Sequence, residues 1–143
     1  MSSEHSFDEK ALVEPTLRQL LPETVTLVVN SPQRVLVVLS GQERTLARFT
    51  PSEWNVLLAL AEAYPHYSPF EALTARLMDG PADYYRERWH QAQQRGRLRE
   101  ELRPIREAIT GLRAKLRPFL LTIAFIPETG YLLASVSSPT PPA

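Results

Sequence analysis

The chain has 143 residues, of which 43% are hydrophobic, and a formal net charge of zero at pH 7. This length suits one domain with a few additional elements, and this hydrophobic content is sufficient for a packed core. The sequence has no cysteine, which excludes disulfides, thiol nucleophiles and thiolate metal sites. No run of about 18 apolar residues occurs, and the polar start is unlike a signal peptide, so we expect a cytoplasmic protein without a membrane partner.

The charge is distributed unevenly along the chain. Residues 1–75 have 5 basic and 9 acidic residues, a balance of −4, whereas residues 76–118 have 11 basic and 6 acidic residues, a balance of +5. Such asymmetry indicates either a basic surface that binds a polyanion or solvated helix faces that are rich in arginine.

Residues 1–23 predict an N-terminal helical arm. Weak helical spacing runs from Phe7 to Leu21, and we expect Pro15 to interrupt it because proline lacks a backbone N–H. Two arrangements are open, a helix packed on the domain or a loosely held arm.

The domain proper is predicted to span residues 24–136 and to begin with a strand meander. VTLVVN and RVLVVLS are β-branched runs of strand length separated by Ser31-Pro32-Gln33, and Gly41-Gln42-Glu43 leads into RTLARF. Turn residues between such runs predict three antiparallel strands.

Two helices with marked starts follow the meander. Thr50 is suited to cap the first, with Pro51 at its first position and Glu53 three residues after the cap. Ser68 is expected to cap the second helix, with Pro69 at its first position, and residues 79–81 end it.

The last long helix has two different faces. Pro104 predicts its start and Pro118 its end. Residues three and four apart lie on one face of a helix, which gives an apolar face and an arginine-rich stripe. The apolar face comprises Leu102, Ile105, Ile109, Leu112 and Leu116, and the stripe comprises Arg99, Arg103, Arg106, Thr110, Arg113 and Arg117.

The chain ends in a predicted β-hairpin. LLTIAFI and GYLLASV flank Pro127-Glu128-Thr129-Gly130, a turn-forming sequence. Residues 137–143, SSPTPPA, are expected to be disordered.

Three segments, taken in the order in which they occur along the chain, carry a family resemblance. FTPSEWNVLLALAE stands at the junction of meander and helix, ITGLRAKL in the last helix, and TGYLLA at the end of the hairpin. Over about residues 25–134 the chain resembles the OmpR/PhoB-type winged helix-turn-helix DNA-binding domain, without a receiver domain. The resemblance implies an α+β fold with an N-terminal strand meander, three core helices and a C-terminal hairpin wing, and this chain adds a helical insertion before the recognition helix.

The resemblance also implies how the domain binds. Its third core helix enters the major groove, where arginine pairs with guanine edges or neutralises phosphates. By position, Arg106, Thr110, Arg113 and Lys115 fall where the family contacts DNA. With the ends of the stripe, the expected DNA-binding residues are Arg103, Arg106, Thr110, Arg113, Lys115 and Arg117.

Two features depart from the family pattern. Glu128 lies at the tip of the hairpin, where an acidic side chain repels phosphate. An insertion at about residues 80–102 contains Tyr84, Tyr85 and Trp89 among several arginines. Aromatic and arginine side chains are enriched at protein interfaces and also stack on bases, so these aromatics either bind a partner protein, contact nucleic acid or pack on the domain itself.

Motifs for catalysis or cofactor binding are missing. The three histidines lie in different elements without a second ligand at metal spacing, and no phosphate-binding glycine loop or nucleophile motif occurs. We therefore expect no enzyme and no cofactor. The leading hypothesis is a transcription regulator that binds duplex DNA, as a monomer or homodimer. The alternative is a winged-helix interaction factor that binds RNA polymerase or a sigma factor.

Overall fold

The computed structural model describes residues 9–78, 82–94, 96 and 102–136, without the side chains of residues 82, 83, 89 and 93. Part of the insertion and the whole of the tail 137–143 therefore lie outside the described residues. The architecture is mixed α+β. Its elements are α1 (Glu9–Leu20), β1 (Thr26–Asn30), β2 (Val35–Ser40), β3 (Glu43–Arg48), α2 (Pro51–Ala63), β4 (Ser68–Pro69), α3 (Phe70–Met78), α4 (Ala82–Gln94), α5 (Arg103–Leu116), a 3-10 turn (Arg117–Phe119), β5 (Leu121–Ile126) and β6 (Gly130–Ser135).

The meander forms a three-stranded antiparallel sheet in the order β1-β2-β3, which confirms the expected strands. Leu27 pairs with Val38, and Val29 pairs with Leu36, which in turn pairs with Ala47. All five side chains are buried, because alternate residues of a strand point to the same face. On the opposite face Val28, Leu39 and Leu46 are exposed, whereas Val35 is buried and Val37 is half-buried.

The expected interruption of α1 at Pro15 is wrong, because the helix runs continuously through it. Val13 and Leu17 are fully buried against the rest of the protein, and the Thr16 hydroxyl donates to the Ala61 carbonyl of α2 at 3.1 Å. A proline inside a helix costs about 3 kcal/mol, whereas burying a large aliphatic side chain contributes about 1.5–3 kcal/mol. Packing on α2 therefore outweighs the cost of the proline.

The start of α2 is the capping box that the sequence predicts. The Glu53 N–H donates to the Thr50 hydroxyl at 3.1 Å, and the Thr50 N–H donates to the Glu53 carboxylate at 2.9 Å. Pro51 occupies the first turn, where its missing N–H costs nothing. The junction between the meander and α2 is thereby fixed.

The start of α3 differs from the expectation. Ser68 and Pro69 do not open the helix but form the short strand β4, and α3 begins at Phe70. Ser68 pairs with Tyr131 and Pro69 with Gly130, so the second sheet has the order β4-β6-β5. The Phe70 N–H also donates to the Thr129 carbonyl at 3.1 Å. The predicted hairpin of β5 and β6 is confirmed, and it is tied to the segment between α2 and α3.

Gly130 is required where β4 meets β6. A Cβ atom built at Gly130 would lie 2.0 Å from the Ser68 carbonyl oxygen, far inside van der Waals contact. A glycine is therefore the residue that permits this close approach of two backbones.

The apolar face that the sequence predicts for the last helix lies in the core. Trp54, Leu57 and Leu58 of α2 and the apolar face of α5 pack in one cluster with residues from α1, both sheets and α3. Pro104 lies in the first turn of α5, as predicted, and Leu116 ends the helix before the turn that contains Pro118. The buried residues of α5 are Ile105, Ala108, Ile109, Leu112 and Leu116.

The insertion contains the helix α4, which packs on α3. Ala92 is buried, and Gly96 adopts a left-handed conformation two residues after the helix ends. This order of elements, with two antiparallel sheets around three core helices, is compatible with a winged helix. Within the described ranges, no helix has the length and apolar content needed to cross a membrane.

Candidate nucleic-acid interface

The arginine-rich stripe lies on one side of α5 because the core occupies the neighbouring side. Successive residues of an α-helix are rotated by about 100°, so residues at steps of three, four, three and four remain on one face. Five of the predicted site residues follow these steps, and they define the stripe as used below: Arg103, Arg106, Thr110, Arg113 and Arg117.

Most side chains of the stripe are available to a ligand. Arg103, Arg106, Thr110 and Arg117 are exposed, and among the described residues none of the four arginines of the stripe forms an ion pair. The Thr110 hydroxyl donates to the Arg106 carbonyl of the preceding turn at 2.9 Å, and its oxygen can still accept a hydrogen bond. Glu107 is also exposed and is the one acidic residue within α5.

Arg113 connects α5 to the hairpin. Its Nε donates to the Ile123 carbonyl of β5 at 2.9 Å, which holds the half-buried guanidinium against the hairpin. Burial raises the pKa of the Tyr131 hydroxyl, and the nearby charges of Arg113 and Arg106 oppose this rise. Tyr131 therefore stays a neutral phenol beside the stripe at physiological pH.

Lys115 lies on another side of α5, although the family resemblance places it among the DNA-binding residues. It follows Arg113 by two residues, so it is rotated by about 200° relative to that arginine. Its ammonium group is 2.6 Å from the Glu53 carboxylate and 5.9 Å from the centre of the Phe49 ring. One face of α5 thus cannot present Lys115 and the stripe together.

The contact between Lys115 and Glu53 positions α5 on the start of α2. Glu53 is buried, and its carboxylate also accepts the Thr50 N–H of the capping box. A Cβ atom at Gly111 would meet the Glu53 carboxylate oxygen at 2.1 Å, so a glycine leaves room for this carboxylate. The capping box was visible in the sequence, but its partner on α5 was not.

We expect Lys115→Met to destabilise the fold without a specific effect on ligand binding. The substitution leaves the buried Glu53 carboxylate without its cation, which should lower the free energy of unfolding by about 1–3 kcal/mol. Urea denaturation of Lys115→Met, Glu53→Gln and the double variant measures the coupling. A double variant whose loss equals the sum of the single losses would show that the two groups do not interact.

The hairpin tip is acidic, as the sequence indicated. Glu128 is exposed and has a φ of 62°, in the left-handed region that favours glycine. Near the tip, Phe125 is 51% exposed while its ring stacks on Phe70 and contacts Tyr131. The tip therefore offers a negative charge and an aromatic surface instead of a cation.

The insertion presents part of its predicted aromatic set to solvent. Tyr84 is 55% exposed, Tyr85 is half-buried, and their rings meet edge to face with centroids 5.0 Å apart. Trp89 belongs to α4, but its side chain lies outside the described part of the structure. The three aromatics are thus in one helix, and Tyr84 is the one whose accessibility is established.

In the described part of the chain, no three histidine or acidic side chains lie close enough together to hold a metal ion. His66 and His90 are both exposed, and His90 contacts Gln94 at 3.3 Å. Comparison with protein-family models, with curated proteins and with solved structures gave no match. The stripe on α5 is therefore the candidate site, because its exposed arginines lie on one side of the helix.

Proposed function

We propose that this protein is a winged helix-turn-helix transcription regulator that binds duplex DNA by placing α5 in the major groove. The observation that carries the proposal is the stripe, with three arginines on one side of α5 and a fourth, Arg117, in the turn that follows it. Arginine is the side chain best suited to bind guanine edges and phosphates, because its planar guanidinium donates two parallel hydrogen bonds.

The connections of the hairpin support the same proposal. β4 lies between α2 and α3 and pairs with β6, which places the hairpin beside the start of α3. Arg113 then links the hairpin to α5 through the Ile123 carbonyl. A helix followed by a hairpin that is fixed against it is the arrangement of a recognition helix and a wing.

The dimensions of the stripe fit a groove. Its first and last residues are 14 steps apart, or about 21 Å along a helix that rises 1.5 Å per residue, and the major groove is about 12 Å wide. A helix that crosses the groove meets bases along its middle and phosphates at its ends. We assign one phosphate contact to each of the four arginines, and additional base contacts to Arg106 and Thr110.

Titration of a fluorescent duplex of random sequence at low salt tests the proposal. We expect saturable binding, because phosphate contacts alone supply most non-specific affinity. A protein that leaves the duplex unbound at low salt would contradict the proposal.

The acidic tip gives a separate prediction about the wing. If the hairpin approaches the phosphate backbone, Glu128→Gln should raise duplex affinity several-fold, since it removes a repelled charge and preserves the shape of the side chain. The same titration measures this change, with Glu43→Gln as the control because Glu43 is exposed in the first sheet. Equal effects of the two substitutions would show that the tip does not lie near DNA.

A second candidate function is a winged-helix interaction factor that binds RNA polymerase or a sigma factor. The exposed ring of Tyr84, packed on Tyr85, favours this candidate because aromatic side chains anchor protein interfaces. The acidic hairpin tip also suits a protein partner better than it suits a phosphate. One protein could use both surfaces, as a regulator that binds DNA and contacts polymerase.

Tyr84→Ala separates the two candidates. For a partner surface we expect an unchanged melting temperature and duplex affinity, with loss of polymerase or sigma factor in a pull-down. Truncating an interface anchor commonly costs 2 kcal/mol or more, which is at least a 30-fold loss of affinity. Tyr67→Ala is the control, since Tyr67 is 45% exposed outside the insertion. A lower melting temperature with no binding defect would assign Tyr84 to packing of the domain.

A further inference from the structure

A cavity that opens to solvent lies where the start of α1, the turn between β1 and β2 and the start of α2 meet. Its volume is about 340 Å³. Ligand pockets in proteins commonly hold about 300–1,000 Å³, so this volume suits a small molecule. Seven residues line the cavity, and none of them belongs to the stripe: Glu9, Ser31, Pro32, Arg34, Pro51, Trp54 and Asn55.

Glu9 brings a fixed carboxylate to the cavity. Its Oε1 accepts the Ser31 hydroxyl at 2.7 Å and the Trp54 indole N–H at 2.9 Å. Its Oε2 accepts no hydrogen bond from a described residue, and no described cation pairs with this carboxylate. Glu9 is half-buried, so its negative charge is held in place with one oxygen available to a donor.

Arg34 brings a fixed guanidinium to the same cavity. Its Nε donates to the Phe49 carbonyl at 2.9 Å, and its amide N–H donates to the Ser31 carbonyl at 3.1 Å. The two terminal nitrogens donate to no described residue, and Arg34 has no acidic partner within the described ranges. This half-buried cation therefore keeps two donors free for a carboxylate.

The cavity thus holds two opposite charges that do not pair with each other, because each is positioned by its own neighbours. An unpaired charge that is partly withdrawn from water is costly, and a ligand group of opposite sign reduces that cost. A simple anion would be repelled by Glu9, and a simple cation would be repelled by Arg34. A molecule that has both an ammonium and a carboxylate satisfies both residues.

We propose that this cavity binds a free amino acid in its zwitterionic form. The ligand ammonium donates to the Oε2 of Glu9, and the ligand carboxylate accepts from the terminal nitrogens of Arg34. Pro32 and Pro51 offer apolar rings to the rest of the ligand, and the half-buried amide of Asn55 can hydrogen-bond to either charged group. Arginine and a carboxylate form one of the stronger hydrogen-bonded pairs in proteins.

The standard L-amino acids, each added singly to the full chain without DNA, test the proposal. A ligand that binds the folded state raises the melting temperature once its concentration exceeds the dissociation constant. We expect at least one amino acid to do so saturably. Calorimetric titration then compares it with its N-acetyl derivative, which lacks the ammonium, and with its amide, which lacks the carboxylate. Each derivative should bind at least about tenfold more weakly, because one charged hydrogen bond is lost.

Glu9→Gln removes the negative charge and keeps an oxygen that accepts from Ser31 and Trp54. We expect this variant to bind the amino acid about tenfold more weakly and its N-acetyl derivative no more weakly than the wild type does. The preference for a free ammonium should therefore disappear, which a loss of packing alone would not produce. Glu43→Gln is the control, since it removes the same charge from an exposed position in the meander.

Arg34→Gln should abolish the complementary preference, that for the amino acid over its amide. Arg48→Gln is its control, because Arg48 is exposed on β3 and does not line the cavity. If either cavity variant fails to fold, the comparison of the amino acid with its two derivatives on the wild-type chain still decides the outcome.

Three results would overturn the proposal. The first is a melting temperature that no amino acid raises. The second is equal affinity for the amino acid and both derivatives, which would show that neither charge of the ligand is recognised. The third is an undiminished preference for the free ammonium in a folded Glu9→Gln protein, which would place the binding site elsewhere. None of these measurements contains DNA, so they stand independently of the proposed function.

Discussion

Gly130→Ala should lower the free energy of unfolding by about 3 kcal/mol or more. The added methyl carbon would lie 2.0 Å from the Ser68 carbonyl oxygen and 2.9 Å from the Pro69 Cα. Overpacking typically costs about 1–3 kcal/mol, and here the obstructing atoms belong to the backbone, which cannot rotate away as a side chain does. The two-residue strand β4 must therefore separate from β6.

Two measurements assign this loss to the contact between β4 and β6. Urea denaturation gives its size, and hydrogen exchange at the Phe70 amide, which donates to the Thr129 carbonyl, reports the separation. Gly41→Ala is the control, because no atom lies within 4 Å of its Cβ position and its φ of 61° alone causes the strain. That conformational cost is about 1–2 kcal/mol. A Gly130→Ala protein as stable as the wild type, with Phe70 still protected, would refute the pairing of β4 with β6.

Removing two cations from the stripe should produce the largest change in binding. Each phosphate contact makes the slope of log affinity against log salt more negative by about 0.9. One contact therefore raises the affinity about eightfold when the salt concentration falls from 1 M to 0.1 M. We expect the double variant Arg106→Gln/Arg117→Gln to bind a short duplex about 60-fold more weakly at 0.1 M salt. In single variants, Arg117→Gln should weaken all sequences alike, whereas Arg106→Gln should also relax a preference for particular bases.

Arg44→Gln/Arg48→Gln is the matched control for this double variant. It removes the same charge from exposed positions on β3, on the side of the sheet that faces away from the helices. If both double variants lost the same affinity, binding would depend on net charge and not on α5.

Local signals in the sequence were enough to predict most elements of the fold. The β-branched runs of the meander, the capping residues Thr50 and Glu53, and the spacing of Ile105, Ile109 and Leu112 each act within a few residues. Exposure of the stripe followed from the same spacing, because a helix that buries one face presents another to solvent. These features could be predicted because neighbours along the chain determine them.

Features that depend on distant partners could not be predicted in this way. Ser68-Pro69 has the composition of a helix start, and its pairing with Gly130 and Tyr131 joins residues about sixty positions apart. The engagement of Lys115 by Glu53 also joins two helices that are distant in the chain. Pro15 is tolerated inside α1 because of packing on α2, which a local rule for proline does not include. In all three cases tertiary contact overrides the local preference.

The salt dependence of duplex affinity tests the central claim most directly. Four arginines that each neutralise one phosphate predict a slope of about −3.6 in a plot of log affinity against log salt, and the variant Arg106→Gln/Arg117→Gln should reduce it to about −1.8. Lys115→Met should leave the slope at its wild-type value, because its ammonium group is held by Glu53. Affinity that does not change with salt, or a slope that the loss of Arg106 and Arg117 leaves unaltered, would contradict DNA binding through α5.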